Sequence, residues 1–173
     1  MKIRDFALLA LFIALVAVST MIVRVPVPQT NGYLNLGDSM VLLAALFFGP
    51  VGGFIAGGIG SALADILGGY PQWALWTLFI KGIEALIVAA MAGILLVRRD
   101  RITIKLVLCF IVATAWMVLG YFTAETIMYD QKAALAELPA NILQAAGSTV
   151  LATLLMPVFH RIISSTRDEK RLS

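Results

Sequence analysis

Apolar residues in this chain run almost unbroken for long stretches, and polar ones gather in the short joints between the runs. A membrane-spanning helix needs about 20 mostly apolar residues, fewer where it is broken or buried among neighbours. The pattern predicts six such segments: 6–23, 38–48, 51–67, 73–97, 105–127 and 139–163. The second is short and ends at Gly49-Pro50. Pro50 and Pro139 each suit a first helical turn, where the missing N–H costs nothing, and Gly68-Gly69 with Pro71 breaks the chain between the third and fourth segments. Pro157 falls inside the sixth as a kink position. The expected fold class is an all-α membrane protein, a bundle of six transmembrane helices in one domain, residues 1–173.

Composition agrees. Hydrophobic residues make up 61% of the chain and charged ones 13%, against about 25% charged in a soluble domain. That leaves no room for a separate soluble catalytic or nucleotide-binding module, so any ATP hydrolysis would fall to a partner. The single cysteine, Cys109, lies in an apolar run, which excludes an internal disulfide and a Cys-rich metal site. The first run is too long for a signal-peptide core and lacks a small-x-small cleavage site before Arg24, so it is expected to be a retained helix.

Charge sets the direction, because cytoplasmic loops carry the excess of Lys and Arg. With six spans and an inside N-terminus, the inner segments hold Lys2, Arg4, Arg98, Arg99, Arg101, Lys105, Arg161, Arg167, Lys170 and Arg171. The outer ones hold Arg24 and Lys132. Both termini are therefore expected in the cytoplasm, in a multi-pass protein of a prokaryotic plasma membrane. The net charge of +3 reads as this topology signal and as contact with the lipid bilayer. No basic, aromatic-interleaved soluble face exists for nucleic acid.

On this topology the polar residues converge. Asp38, Asp65, Glu125, Asn141 and Gln144 fall near the outer ends of their helices. Lys81 lies roughly 12 Å below the outer end of the fourth helix at 1.5 Å per residue, and Glu84 follows on the same face at i+3. Trp73, Trp76, Tyr33, Tyr70 and Tyr121 stand around them and offer flat apolar faces with a polar edge. Convergent polar groups in an apolar wall are what a small, polar, ring-shaped ligand requires. Structural readings stand beside this one. Trp73 and Tyr129 also suit an interfacial aromatic belt, Asp38 an N-cap, and Asp65 with Lys81 a buried ion pair. Asp65, Lys81 and Glu84 also suit the proton relay of a secondary transporter. His160 is the only histidine and has no second ligand nearby, so no metal site is expected. Ser39 and Ser61 beside carboxylates form no recognisable triad, and no enzymatic activity is expected.

Small residues carry a second message. Ala7, Ala10, Ala14 and Ala17 recur at helical spacing in the first segment, and Gly53, Gly57, Gly60, Ser61 and Ala64 in the third. Such faces let helix backbones approach closely in a membrane, either inside the bundle or against another protein. The glycines around Gly57 form no phosphate loop, since no strand precedes them and no Gly-Lys-Ser/Thr follows.

The run from Tyr33 to Glu84 carries NLGD (35–38), FGPVGG (48–53), GSALAD (60–65), GYP (69–71) and KGIEAL (81–86). It resembles the substrate-binding S components of energy-coupling factor vitamin transporters, and the resemblance covers almost the whole chain. It is nearest in appearance to the hydroxymethylpyrimidine- or pyridoxine-type branch, close to riboflavin-type members. The resemblance implies a subunit that captures a vitamin from outside without a cofactor and docks on a membrane coupling subunit driven by two cytoplasmic ATPases. It also implies that Ala7, Ala10, Ala14 and Ala17 meet the coupling subunit, and that the loop 24–37 caps the pocket. The pocket implied is Asn35, Asp38, Asp65, Trp76, Lys81, Glu84, Glu125, Asn141 and Gln144, with Trp76 stacking on the ligand and Asp65 and Glu84 helping to hold Lys81. Riboflavin would ask for a larger aromatic slot and pantothenate for a dominant cation.

Overall fold

A computed structural model describes residues 3–98 and 101–168 of the chain. Helix α1 (Ile3–Ile22) leads into a short antiparallel hairpin, β1 (Val25–Val27) and β2 (Gly32–Leu34). Then follow α2 (Asp38–Phe54), a π-helical turn (Ile55–Ile59), α3 (Gly60–Gly68), α4 (Ala74–Ile94), α5 (Ile104–Met128) and α6 (Gln131–Asp168). Five of these stretches are long and apolar enough to cross a membrane, the second being the continuous run Asp38–Gly68.

That run is not straight. Gly49 takes φ 72° and ψ −166°, a region open to glycine alone, and Pro50 begins a new helical arm beyond it. A Cβ placed on Gly53 would sit 2.7 Å from the Cα of Ala45, although eight residues of straight helix span about 12 Å. A Cβ on Gly57 would likewise lie 2.7 Å from Val41 Cγ1. The two arms therefore fold back on one another at Gly49-Pro50, and the second and third predicted segments are the arms of one helical hairpin. The small-residue stripe on the second arm is spent inside the bundle. Gly58 faces the backbone of α4 at Leu78, and Gly60 that of α1 at Ile13.

The first arm explains its own shortness. Residues 38–47 are buried on every side, as expected of a helix apolar all round, and α4, α6 and α1 pack around it. It never meets lipid, so the length needed to span hydrocarbon does not bind it. The other helices are one-sided. In α5, Leu106, Phe110, Ala113 and Met117 turn inward, while Leu108, Ile111, Val112 and Leu119 are exposed, as suits a lipid-facing surface.

Three expectations need correction. The fold is not purely helical, because Val25-Pro26-Val27 pairs with Gly32-Tyr33-Leu34 in register Val25↔Leu34; β-branched residues and a turn containing Asn31 at φ 46° favour this. The sixth helix starts at Gln131, not at Pro139, because Asp130 Oδ1 accepts the Ala133 N–H (2.8 Å) and caps the helix there. Asp38 caps nothing: Gly37 is the N-cap of α2 and no side chain caps it. The break after α3 is as predicted, with Gly69 left-handed and the Tyr70 N–H returning to the Asp65 carbonyl at 2.8 Å.

The alternation of helices places the β hairpin, the 68–74 turn and the 128–131 turn at one end of the bundle. Gly49-Pro50, the end of α4, the start of α5, the start of α1 and the end of α6 lie at the other. Arg98, Arg101, Lys105 and Arg161 belong to that second end. Lys2, Arg99, Lys170 and Arg171 lie outside the described residues.

Candidate functional site

A cavity opens under the β hairpin and enters the bundle between α1, α3, α4, α5 and α6, with about 430 Å³ of non-atom space including its mouth. Helix α4 supplies its back wall. At about 100° per residue, Trp73, Thr77, Lys81 and Glu84 fall within an arc of about 80°. Trp73, Thr77 and Lys81 line the cavity, and Glu84 lies one turn deeper.

Lys81 is 2% exposed and forms an ion pair with Asp38 of the central arm. Its Nζ lies 3.8 Å from Glu84 Oε2, and it sits 5.1 Å from the centre of the Tyr121 ring, a cation–π distance. The other Asp38 oxygen accepts from Gln144 Nε2 (2.9 Å), and Gln144 Oε1 accepts the Asn35 N–H (2.8 Å). One polar chain thus ties α4, α2, α6 and the segment before α2. Each link offsets the cost of burying the next. Asp38 and Glu84 stand behind Lys81 and are not part of the cavity lining, whereas Asn35 and Gln144 are.

A second set of polar groups lines the upper cavity. Tyr33 of β2 donates its hydroxyl to Asp65 Oδ1 at 2.6 Å. Burial first, and the Asp65 carboxylate second, push the Tyr33 phenol above the usual tyrosine range, so it stays a donor. Asn141 Nδ2 donates to Glu125 Oε1 at 2.9 Å. Thr77 and Tyr121 hydroxyls are 3.1 Å apart. Several buried atoms here have no hydrogen-bond partner: Asp65 Oδ2, Glu125 Oε2, Thr20 Oγ1 and Ser61 Oγ. Buried polar atoms are normally paired, so four together in one cavity are capacity suited to a polar ligand.

The hairpin above is fastened, not loose. Thr30 donates to Glu137 of α6. Trp73 Nε1 and Gln72 Nε2 both donate to the Asn31 carbonyl at 3.3 Å, and Arg24 Nη1 donates to the Gly68 carbonyl at 3.1 Å. Its contacts with Asp65, Glu137 and Trp73 lie at the cavity rim.

Of the residues predicted from sequence, Asn35, Asp65, Lys81, Glu125, Asn141 and Gln144 line the cavity. Trp76 does not. It falls about 60° outside the α4 arc and packs, half-buried, against the outer apolar cluster around Trp73 and Met117. Trp73 takes the place foreseen for it, 6.0 Å from the Tyr121 ring. Asp65 does not hold Lys81 as a partner; that role falls to Asp38. Thr20, Thr77 and Glu137 were missed. Thr77 was readable at i−4 from Lys81, and Glu137 was hidden by starting the sixth helix at Pro139. On α1, Ala7, Ala10 and Ala14 are exposed along one face, but Ala17 is buried beside Val16.

Comparison with known proteins adds an independent line. The family model described as ECF-type riboflavin transporter, S component, matches residues 1–161. An uncharacterized protein in the gap 3′ region of Pyrococcus woesei is 46% identical over 136 residues, 79% of this chain and 88% of that protein. The thiamine precursor transporter HmpT of Lactococcus lactis subsp. cremoris is 30% identical over 161 residues, 92% of this chain and 90% of that protein.

Proposed function

The chain belongs to the ECF-type riboflavin transporter S-component family, and from that premise we propose that it captures hydroxymethylpyrimidine or a vitamin B6 form from outside the cell. It is a multi-pass cell-membrane subunit of vitamin or vitamin-precursor uptake and not an enzyme. The observation that carries the finer reading is the buried cavity whose lining combines unpartnered polar atoms, Asp65 Oδ2 and Glu125 Oε2 among them, with the aromatic rings of Trp73 and Tyr121. A planar ring with polar substituents satisfies both features. The similarity to a thiamine precursor transporter over 92% of the chain supports the same choice. The modest cavity favours a single ring over the tricyclic riboflavin. Pantothenate fits poorly, since the cation its carboxylate would need, Lys81, is already paired with Asp38.

The chain crosses the membrane six times, the arms of the Asp38–Gly68 hairpin counting as two passes, with both termini cytoplasmic and the β hairpin outside. The basic residues at the end opposite the hairpin support this orientation. The hairpin is the lid over the captured ligand. The exposed Ala7, Ala10 and Ala14 face then meets a membrane coupling subunit, where small residues permit close approach, and two cytoplasmic ATPases supply the energy.

Uptake of labelled hydroxymethylpyrimidine into proteoliposomes tests this reading. Accumulation should require the coupling subunit and ATP-competent ATPases. Accumulation by the chain alone, driven by a proton gradient, would overturn it in favour of a secondary transporter using Asp65, Lys81 and Glu84 as a relay.

A further inference from the structure

Among the described residues six acidic or basic side chains are buried: five carboxylic acids, Asp38, Asp65, Glu84, Glu125 and Glu137, and one cation, Lys81. The charge of the ammonium is matched by its ion pair with Asp38, and a second carboxylate, Glu84, stands 3.8 Å away. Arg24, at the hairpin end, lies over the Tyr33 ring at 5.7 Å and donates to the Gly68 carbonyl, and it is not part of the cavity lining. The cavity therefore holds no unspent positive charge.

Its unspent capacity is of the opposite kind. Asp65 Oδ2 and Glu125 Oε2 are carboxylate oxygens, 3% and 1% exposed as residues, and neither has a partner. Thr77 is the other polar neighbour of Asp65, and its single hydroxyl proton serves either Asp65 or Tyr121, 3.1 Å away. Asp65 comes from α3 and Glu125 from α5, two helices that each pack on α4. The acceptors thus reach the cavity from separate walls, and the adjoining rings of Trp73 and Tyr121 belong to the same lining. A ligand anion brought here would meet carboxylates on several sides and no free cation. Hydrogen-bond donors would complete both acceptors and relieve their burial.

We infer that the cavity selects a flat heterocycle with hydrogen-bond donors on two of its edges, neutral or cationic, and rejects the same ring once it carries a carboxylate or phosphate. The inference rests on the capture reading and narrows it to a substrate class. Asp65 and Glu125 are the specificity-determining residues.

The test is equilibrium binding to the full chain in lipid nanodiscs, read by tryptophan fluorescence. The probes are 4-amino-5-hydroxymethyl-2-methylpyrimidine and its phosphate ester, then pyridoxamine and 4-pyridoxic acid. The member of at least one pair without the carboxylate or phosphate should bind more tightly than its anionic counterpart by about 100-fold or more, as expected of a site whose buried polar groups must be matched. Asp65→Asn, which turns an acceptor into a donor, should weaken the preferred ligand about 10- to 100-fold and shrink its margin over the anion. Glu125→Gln reads the same quantity from the other wall should Asp65→Asn fail to accumulate. An anionic member bound within about threefold of its parent, or a margin unchanged in both variants, overturns the inference while leaving the capture reading intact. A wild-type chain that binds none of the four overturns the capture of this ligand class altogether.

Discussion

Lys81 of α4 reaches the carboxylate of Asp38, 43 residues earlier in the chain, and the pair is 2% and 0% exposed. Neither charge has water to fall back on. The Gly49-Pro50 reversal makes this contact available, because it sends the second arm back beside the first and leaves the N-terminal end of the first arm facing α4.

Removing one member of that pair strands the other. Asp38→Asn and Lys81→Met should each destabilise the protein by about 3–5 kcal/mol, the usual cost of breaking a buried ion pair. The double variant Asp38→Asn/Lys81→Met should cost less than the sum of the two. Unfolding midpoints in detergent measure both effects; strict additivity would show that the two charges do not depend on one another.

Trp73 and Trp76 separate the cavity wall from the apolar cluster behind it. Trp73→Ala should weaken ligand binding by about tenfold or more, since it removes both a ring face and the Nε1 bond to Asn31. Trp76→Phe should leave affinity within about threefold. Calorimetric titration of both variants decides the matter, and the reverse ranking would return the stacking role to Trp76.

The hairpin is held to α6 by Thr30 and Glu137. Thr30→Val should raise the rate of ligand release by about tenfold, the loss of one charge-assisted hydrogen bond, with a smaller change in the rate of entry. Stopped-flow fluorescence reads both rates. Unchanged release would mean the hairpin does not gate the cavity.

The raised pKa of Tyr33 makes the lid sensitive to alkali in one direction. The closed state holds the neutral phenol, so its pKa lies above that of the open state. The contact with Asp65 is complete below the open-state value and is lost as pH rises through and beyond it. Release should therefore quicken above about pH 10, and Tyr33→Phe should abolish that step. A Tyr33→Phe protein with the same alkaline acceleration would assign it to another group.

Much of this was legible in the sequence. Apolar length and the Gly/Pro joints located the helices apart from the first two turns of the last one, and the break read at Gly49-Pro50 falls where the Asp38–Gly68 run turns back. The convergence of Asp65, Lys81, Glu125, Asn141 and Gln144 followed from placing their helices in alternating directions, whereas Asn35, in the segment before α2, came only with the family resemblance. Pairing within the cluster was not legible. Asp38 and Asp65 both sit at helix ends at similar depth, and only the packing of α2 against α4 decides which one meets Lys81. Glu137 was hidden because Pro139 suits a first helical turn best, whereas α6 begins at Gln131 and carries Pro139 eight residues inside. Trp73 and Trp76 differ by less than one turn, so a small error in the placement of the α4 face exchanges them.

The central claim is that this chain alone is the capture device, and ATP-free binding tests it most directly. Purified protein, without coupling subunit, ATPases or nucleotide, should bind labelled hydroxymethylpyrimidine or pyridoxamine saturably, one molecule per chain, with Kd below about 1 μM. No saturable binding of either by a folded chain would contradict the account.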